Sequence, residues 1–98
     1  MKLFISQPMR GKTNEEIIEE RERIKKECQK HYDTNVDVID SFFKDAPHDA
    51  HPLWYLSESI KFLGLADAAY FADGWQNYRG CIIEHEVAVR YGIKIIKD

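Results

Sequence analysis

The chain has 98 residues, 44% hydrophobic and 32% charged, with 14 Lys and Arg against 17 Asp and Glu for a net charge of -3. That length allows one domain, residues 1–98, around one modest core, and the composition is that of a globular chain rather than a disordered one. Without a basic excess or a basic block the chain does not suit nucleic acid or an anionic membrane surface, and no apolar run approaches the ~18 residues of a membrane span.

Lys2 to Ser6 is short, apolar and β-prone, and is predicted to be a buried strand ended by Pro8 and Gly11. Thr13-Asn14-Glu15-Glu16 is a capping box, so a helix starts there, with Ile17, Ile18, Ile24, Cys28 and Tyr32 as its apolar face. Val36 to Asp40 is the second strand. The stretch from Ser41 to Pro52 is long for a connector in so small a domain, which marks it as a lid or a site wall. A second helix is expected from about Leu53 to Leu65, with Leu56, Ile60 and Leu63 as its core stripe, then a strand over Ala68 to Ala72. The loop Asp73 to Gly80 leads into a third helix, roughly Ile82 to Tyr91, and after Gly92 the last strand runs Ile93 to Ile96.

This alternation implies an α/β fold: a Rossmann-like, flavodoxin-like three-layer domain with a small parallel sheet in the order 2-1-3-4. Ligands of such sheets bind beyond the carboxyl ends of the strands, at the switch point between strands one and three. Ser6 to Thr13, Asp40 to Phe43 and Asp73 to Glu84 should meet there. Cys28 and Cys81 form neither a metal spacing nor a disulfide framework, and the opening MKLFISQ lacks signal-peptide layout. A soluble cytoplasmic protein is expected.

Ser6-Gln7-Pro8-Met9-Arg10-Gly11-Lys12-Thr13 ends like a nucleotide-binding P-loop, but Ser6 replaces the first glycine and Pro8 removes an amide. What survives is a helix N-terminus with Arg10 and Lys12 beside it, which suits one phosphate group; the alternative is two solvated loop cations. Glu84 lies in the first turn of the expected third helix, where the helix dipole would keep it ionised, as it would any surface carboxylate. Gly80 lets a backbone or ligand approach closely. Trp75 follows Asp73-Gly74 in a polar loop, where its ring could stack on a base. His48 and His51 have no third ligand at a defined spacing, so neither a metal site nor a cofactor is expected.

Four segments together, F-I-S-Q-P-M-R-G-K-T, P-L-W-Y-L, A-D-A-A-Y-F-A-D-G-W and R-G-C-I-I-E-H-E-V-A, resemble the nucleoside 2-deoxyribosyltransferase-like superfamily, in particular its short bacterial and phage branch. The resemblance implies a pocket for a nucleotide or nucleoside. The family's G-x-x-x-E-x-x-x-A pattern falls on Gly80, Glu84 and Ala88, which implies Glu84 as nucleophile at the anomeric carbon. Arg10-Gly11 matches the R-G of the relatives' 5′-phosphate loop. Where catalytic relatives carry an Asp on the second helix this chain has Ser59, and where they carry a first-strand tyrosine it has Phe4. Asp73 or Asp40 would have to act as the acid.

Two functions therefore stay open. One is an N-glycosidase or 2-deoxyribosyltransferase working by retaining double displacement. The other is a non-catalytic nucleotide-binding module, such as a sensor or sequestering protein, that has lost the acid. The expected site comprises Glu84 and Asp73 for catalysis, with Ser6, Gln7, Pro8, Met9, Arg10, Gly11, Lys12, Asp40, Ser41, Gly74, Trp75 and Gly80 for binding. A homo-oligomer is also expected, with Trp54, Tyr55 and Phe62 as contacts, because aromatic-rich segments at the mouth expose apolar surface.

Overall fold

A computed structural model describes residues 1–43 and 45–98, and Lys44, within the long Ser41 to Pro52 segment, lies outside the described residues. Strand β1 (Lys2–Ser6) is followed by α1 (Asn14–Tyr32), β2 (Asp37–Val38), α2 (Pro52–Leu63), β3 (Ala68–Phe71), α3 (Arg79–Arg90) and β4 (Lys94–Lys97). The sheet is parallel throughout, in the order β2-β1-β3-β4, so the α/β class and the 2-1-3-4 order stand. Each connection between parallel neighbours needs a crossover, and the three helices supply them.

Strand alternation divides the core into two. Leu3 and Ile5 of β1, with Tyr70 and Ala68 of β3, pack against Ile24 and Cys28 of α1. Phe4, Ala69 and Phe71 point to the opposite face and meet Leu63 of α2 and Ala88 of α3. Hence α1 covers one face of the sheet while α2 and α3 cover the other. No described helix is long and apolar enough to cross a membrane.

Several boundaries move for local reasons. Helix α1 is capped as expected: Thr13 accepts from the Glu16 amide at 3.1 Å, and the Glu16 side chain accepts from the Thr13 amide at 2.9 Å. Its buried face, however, is Ile17, Arg21, Ile24 and Cys28, and Ile18 is exposed. Strand β2 is only two residues long, although the amides of Asp37 and Ile39 both bond to the first strand's side of the sheet, at Met1 and Leu3. Pro52 opens α2, a position where its missing N–H costs nothing. Of the expected α2 stripe only Leu63 is fully buried, because Leu56 and Ile60 are partly open. Helix α3 begins three residues earlier than expected, at Arg79, which takes Gly80 and Cys81 into its first turn. Of the residues proposed as oligomer contacts, Trp54 and Phe62 already pack on Phe43 within the chain, whereas Tyr55 is exposed.

The α1 register makes a direct test. Ile24→Ala should cost about 2–5 kcal/mol, the usual range for emptying a packed aliphatic site. Ile18→Ala, one face away, should change stability by no more than about 0.5 kcal/mol. Urea denaturation of both variants would distinguish this register from one that buries Ile18.

Candidate active site

A cavity of about 1190 Å³ opens at the carboxyl end of β1, on the face covered by α2 and α3. Its volume slightly exceeds the ~300–1,000 Å³ of most small-molecule sites. The end of β1, the Ser41–Phe43 stretch after β2, the start of α2 and the start of α3 form its walls. The Ser41 to Pro52 segment is thus a site wall at both of its ends, as its length suggested. Aromatic and aliphatic side chains dominate the lining, among them Phe4, Phe42, Phe43, Tyr55, Leu56 and Ile83.

Glu84 lies on this wall and is buried. Alternation along β1 turns Ser6 to the same face as Phe4, and the Ser6 hydroxyl donates to Glu84 Oε1 at 2.7 Å. Because α3 begins at Arg79, Glu84 sits in the second turn rather than the first. The helix dipole falls off within the first turn, so it does not hold this carboxylate ionised as expected. Burial instead pushes the Glu84 pKa up, opposed by hydrogen bonding from Ser6 and Ser59 and by the Arg21 charge. Cys81 shares the wall; burial raises its pKa as well, and the neighbouring Glu84 adds to that, so it remains a thiol.

Arg21 is the residue that sequence reasoning missed. It projects from the buried face of α1 to the strand ends, where Nε donates to Gln7 Oε1 at 2.9 Å and an Nη donates to Ser41 Oγ at 2.9 Å. The other Nη reaches the Ile39 carbonyl at 3.4 Å. Desolvation pulls the guanidinium pKa down, while Asp40, Glu84 and Glu20 hold it up. The signal was present: Ile17, Arg21, Ile24 and Cys28 follow helical spacing, and a charge inside such a stripe needs partners.

The binding residues divide. Ser6, Gln7, Met9, Arg10, Ser41, Gly80 and Glu84 all line the cavity. The Gln7 side chain, however, is occupied within the protein: Nε2 donates to the Ile17 carbonyl at 3.0 Å and to Glu20 at 2.8 Å, while Oε1 accepts from Arg21. It is a strut and not a ligand contact. Pro8 is buried beneath Gly74, whose φ of +88° suits glycine, and neither lines the cavity.

Much of the phosphate cradle expected at α1 is already engaged within the chain. The Lys12 amide closes a turn on the Met9 carbonyl, the Thr13 amide is taken by Glu16, and Lys12 Nζ pairs with Glu20 at 3.6 Å. Gly11, with φ +79°, serves that turn. Arg10 alone of this group reaches the cavity. Arg79, which the sequence reading left aside, joins it there, at the first residue of an α3 terminus with no side-chain cap.

Trp75, Asp73 and Asp40 are corrected too. Trp75 stacks on His85 with centroids 4.2 Å apart and packs on Phe71, so its ring belongs to the α3 side of the core and offers no face to a base. Asp73 is exposed and pairs with Lys97 at 3.2 Å, away from the cavity. Asp40 opens on a separate recess beside Phe42 and Trp54. His51 lines the cavity at the N-cap of α2, and His48 is exposed in the long loop. The chain matches no protein-family model, no curated protein and no solved structure.

Burial of Glu84 fixes a sign for pH dependence. Its folded pKa lies above its unfolded one, so the folded chain keeps a proton that the unfolded chain has already lost. The resulting stability is complete below the ordinary carboxylate range and declines as pH rises to the raised folded value. Glu84→Gln still accepts from Ser6 and removes the charge. Thermal melts between about pH 4 and pH 8 should show this variant losing the wild-type decline and melting higher at neutral pH.

Proposed function

We propose that the protein cleaves the N-glycosidic bond of a nucleotide or nucleoside, as an N-glycosidase or 2-deoxyribosyltransferase with Glu84 as nucleophile. One observation carries this reading: a buried carboxylate, oriented by a serine hydroxyl, lies on the wall of a largely apolar cavity at the sheet's switch point. The Gly80, Glu84 and Ala88 pattern that carries the resemblance to nucleoside 2-deoxyribosyltransferases lies along the same helix.

Glu84 attacks C1′ through an oxocarbenium-like transition state, and water or a second base then releases the glycosyl ester. Ser6 does the positioning that a first-strand tyrosine does in the relatives, since Phe4 has no hydroxyl to offer. The aromatic walls take the base and sugar, and Arg10 and Arg79 at the rim take the 5′-phosphate. Nucleophilic attack needs the ionised carboxylate. Activity should therefore rise with pH along an acid limb displaced above that of an exposed glutamate.

A non-catalytic nucleotide-binding module is the second reading, favoured by one specific observation. Among the described residues, Glu84 is the one carboxylate lining the cavity. Chromatographic release of free base from nucleoside monophosphates separates the two. The glycosidase reading expects base release that Glu84→Gln brings to background, with a 2-fluoro sugar analogue leaving a glycosyl mass on Glu84. Saturable binding without base or adduct would support the module instead. Arg10→Ala with Arg79→Ala should raise KM for a monophosphate by about 10- to 100-fold, as loss of charge-assisted hydrogen bonds implies, and leave the unphosphorylated nucleoside unchanged.

A further inference from the structure

Among the described residues the cavity holds one carboxyl group, Glu84, and not the pair that ordinarily cleaves the bond to a neutral leaving group. Asp73 pairs with Lys97 and Asp40 faces another recess, so neither carboxyl can reach a leaving group beside Glu84. Ser59 occupies the α2 wall, and an alcohol is too weak an acid to protonate a purine or pyrimidine nitrogen. His51 lines the cavity at the N-cap of α2, and its side chain makes no hydrogen bond to Glu84 or Ser6. Among the described residues, then, Glu84 is the one carboxyl group of the cavity, and no second carboxyl stands opposite it to donate a proton.

Resting on the glycosidase reading, we propose that the substrate is an N-glycoside whose base is already cationic, such as an N-alkylpyridinium or N7-alkylpurine nucleotide. A carboxylate oxygen of Glu84 forms a bond to C1′ as the C1′–N bond breaks. The bonding pair moves onto the ring nitrogen and cancels its positive charge, so the base leaves neutral with no proton transferred. Water then adds to C1′, the ester bond to Glu84 breaks with its electron pair returning to the carboxylate, and one proton passes to solvent. The walls suit such a ring. Phe4, Phe42, Phe43 and Tyr55 surround the space with aromatic groups that attract a planar cation, and Glu84 supplies the opposite charge. Arg10 and Arg79 lie at the rim and meet the phosphate end.

The experiment compares the full chain on guanosine and 2′-deoxyguanosine 5′-monophosphates, each with and without an N7-methyl group, and on nicotinamide mononucleotide. Each rate is divided by its uncatalysed rate, because methylation alone labilises the bond. The expected result is an acceleration of at least one cationic probe that exceeds that of the neutral nucleotides by ~10²–10⁴-fold, the usual contribution of a general acid. Ser59→Asp, which restores an acid, should narrow that ratio by speeding the neutral substrates. Equal acceleration of methylated and unmethylated nucleotides, or cleavage of the neutral ones alone, overturns the cationic-base assignment and leaves the glycosidase reading standing. Absence of cleavage from every probe, with no glycosyl adduct on Glu84, removes the glycosidase reading and this inference with it.

Discussion

A single buried guanidinium ties the carboxyl end of the sheet together. Arg21 reaches from α1 to the β1 exit through Gln7, to the β2 exit through the Ile39 carbonyl and to the following loop through Ser41. The exits of β1 and β2 are thereby held to α1 at one charge. Removing it would leave Gln7 Oε1 and Ser41 Oγ without that donor in a buried place, and the loss of partners, more than of attraction, makes such groups costly to disturb. The cavity wall from Ser41 to Phe43 and the base of the Met9–Arg10 loop both inherit their positions from this contact.

Glu84 is a second buried charge, handled differently. Arg21 has three acceptors and the carboxylates of Asp40, Glu84 and Glu20 to hold its charge. Glu84 has hydroxyl hydrogen bonding and one more distant cation; desolvation prevails at both groups, lowering the Arg21 pKa and raising that of Glu84. An under-compensated carboxylate in an apolar cavity is more reactive toward an electrophile than one sheathed in donors, at the expense of folded-state stability.

The sheet was legible in the sequence because alternating apolar runs and capped amphipathic stretches leave few topologies for so short a chain. The strands Ala68 to Phe71 and Lys2 to Ser6, buried at every residue but Lys2, were visible from composition. The start of α3 was less so: Tyr78-Arg79-Gly80 contains no capping side chain, and glycine in the first turn conceals a helix that tertiary packing nevertheless forms. That three-residue difference changed the electrostatic reading of Glu84. Amide occupancy around Lys12 and Thr13 was equally illegible, since a capping box and a phosphate cradle draw on the same N–H groups and only geometry shows which has them. Trp75 sat beside candidate site residues in sequence, but the left-handed turn at Gly74 sends its ring to His85 on the far side of α3. Arg79 opens the R-G-C-I-I-E-H-E-V-A segment but lies outside its G-x-x-x-E-x-x-x-A pattern, and its place on the wall follows from the helix start.

The two rim arginines also bear on how fast a ligand arrives. The chain as a whole carries a net charge of -3, so an approaching dianion meets repulsion over much of the surface. Arg10 and Arg79 are exposed at the mouth, and neither forms an ion pair among the described residues. Those two cations place a favourable field at the entrance, where low-dielectric aromatic walls concentrate it. A phosphorylated ligand of the kind proposed would be funnelled toward the opening with the phosphate at the rim and the ring free to turn inward. Such guidance reaches about one Debye length, ~8 Å at physiological salt, so added electrolyte slows capture of the charged ligand and scarcely touches that of a neutral one.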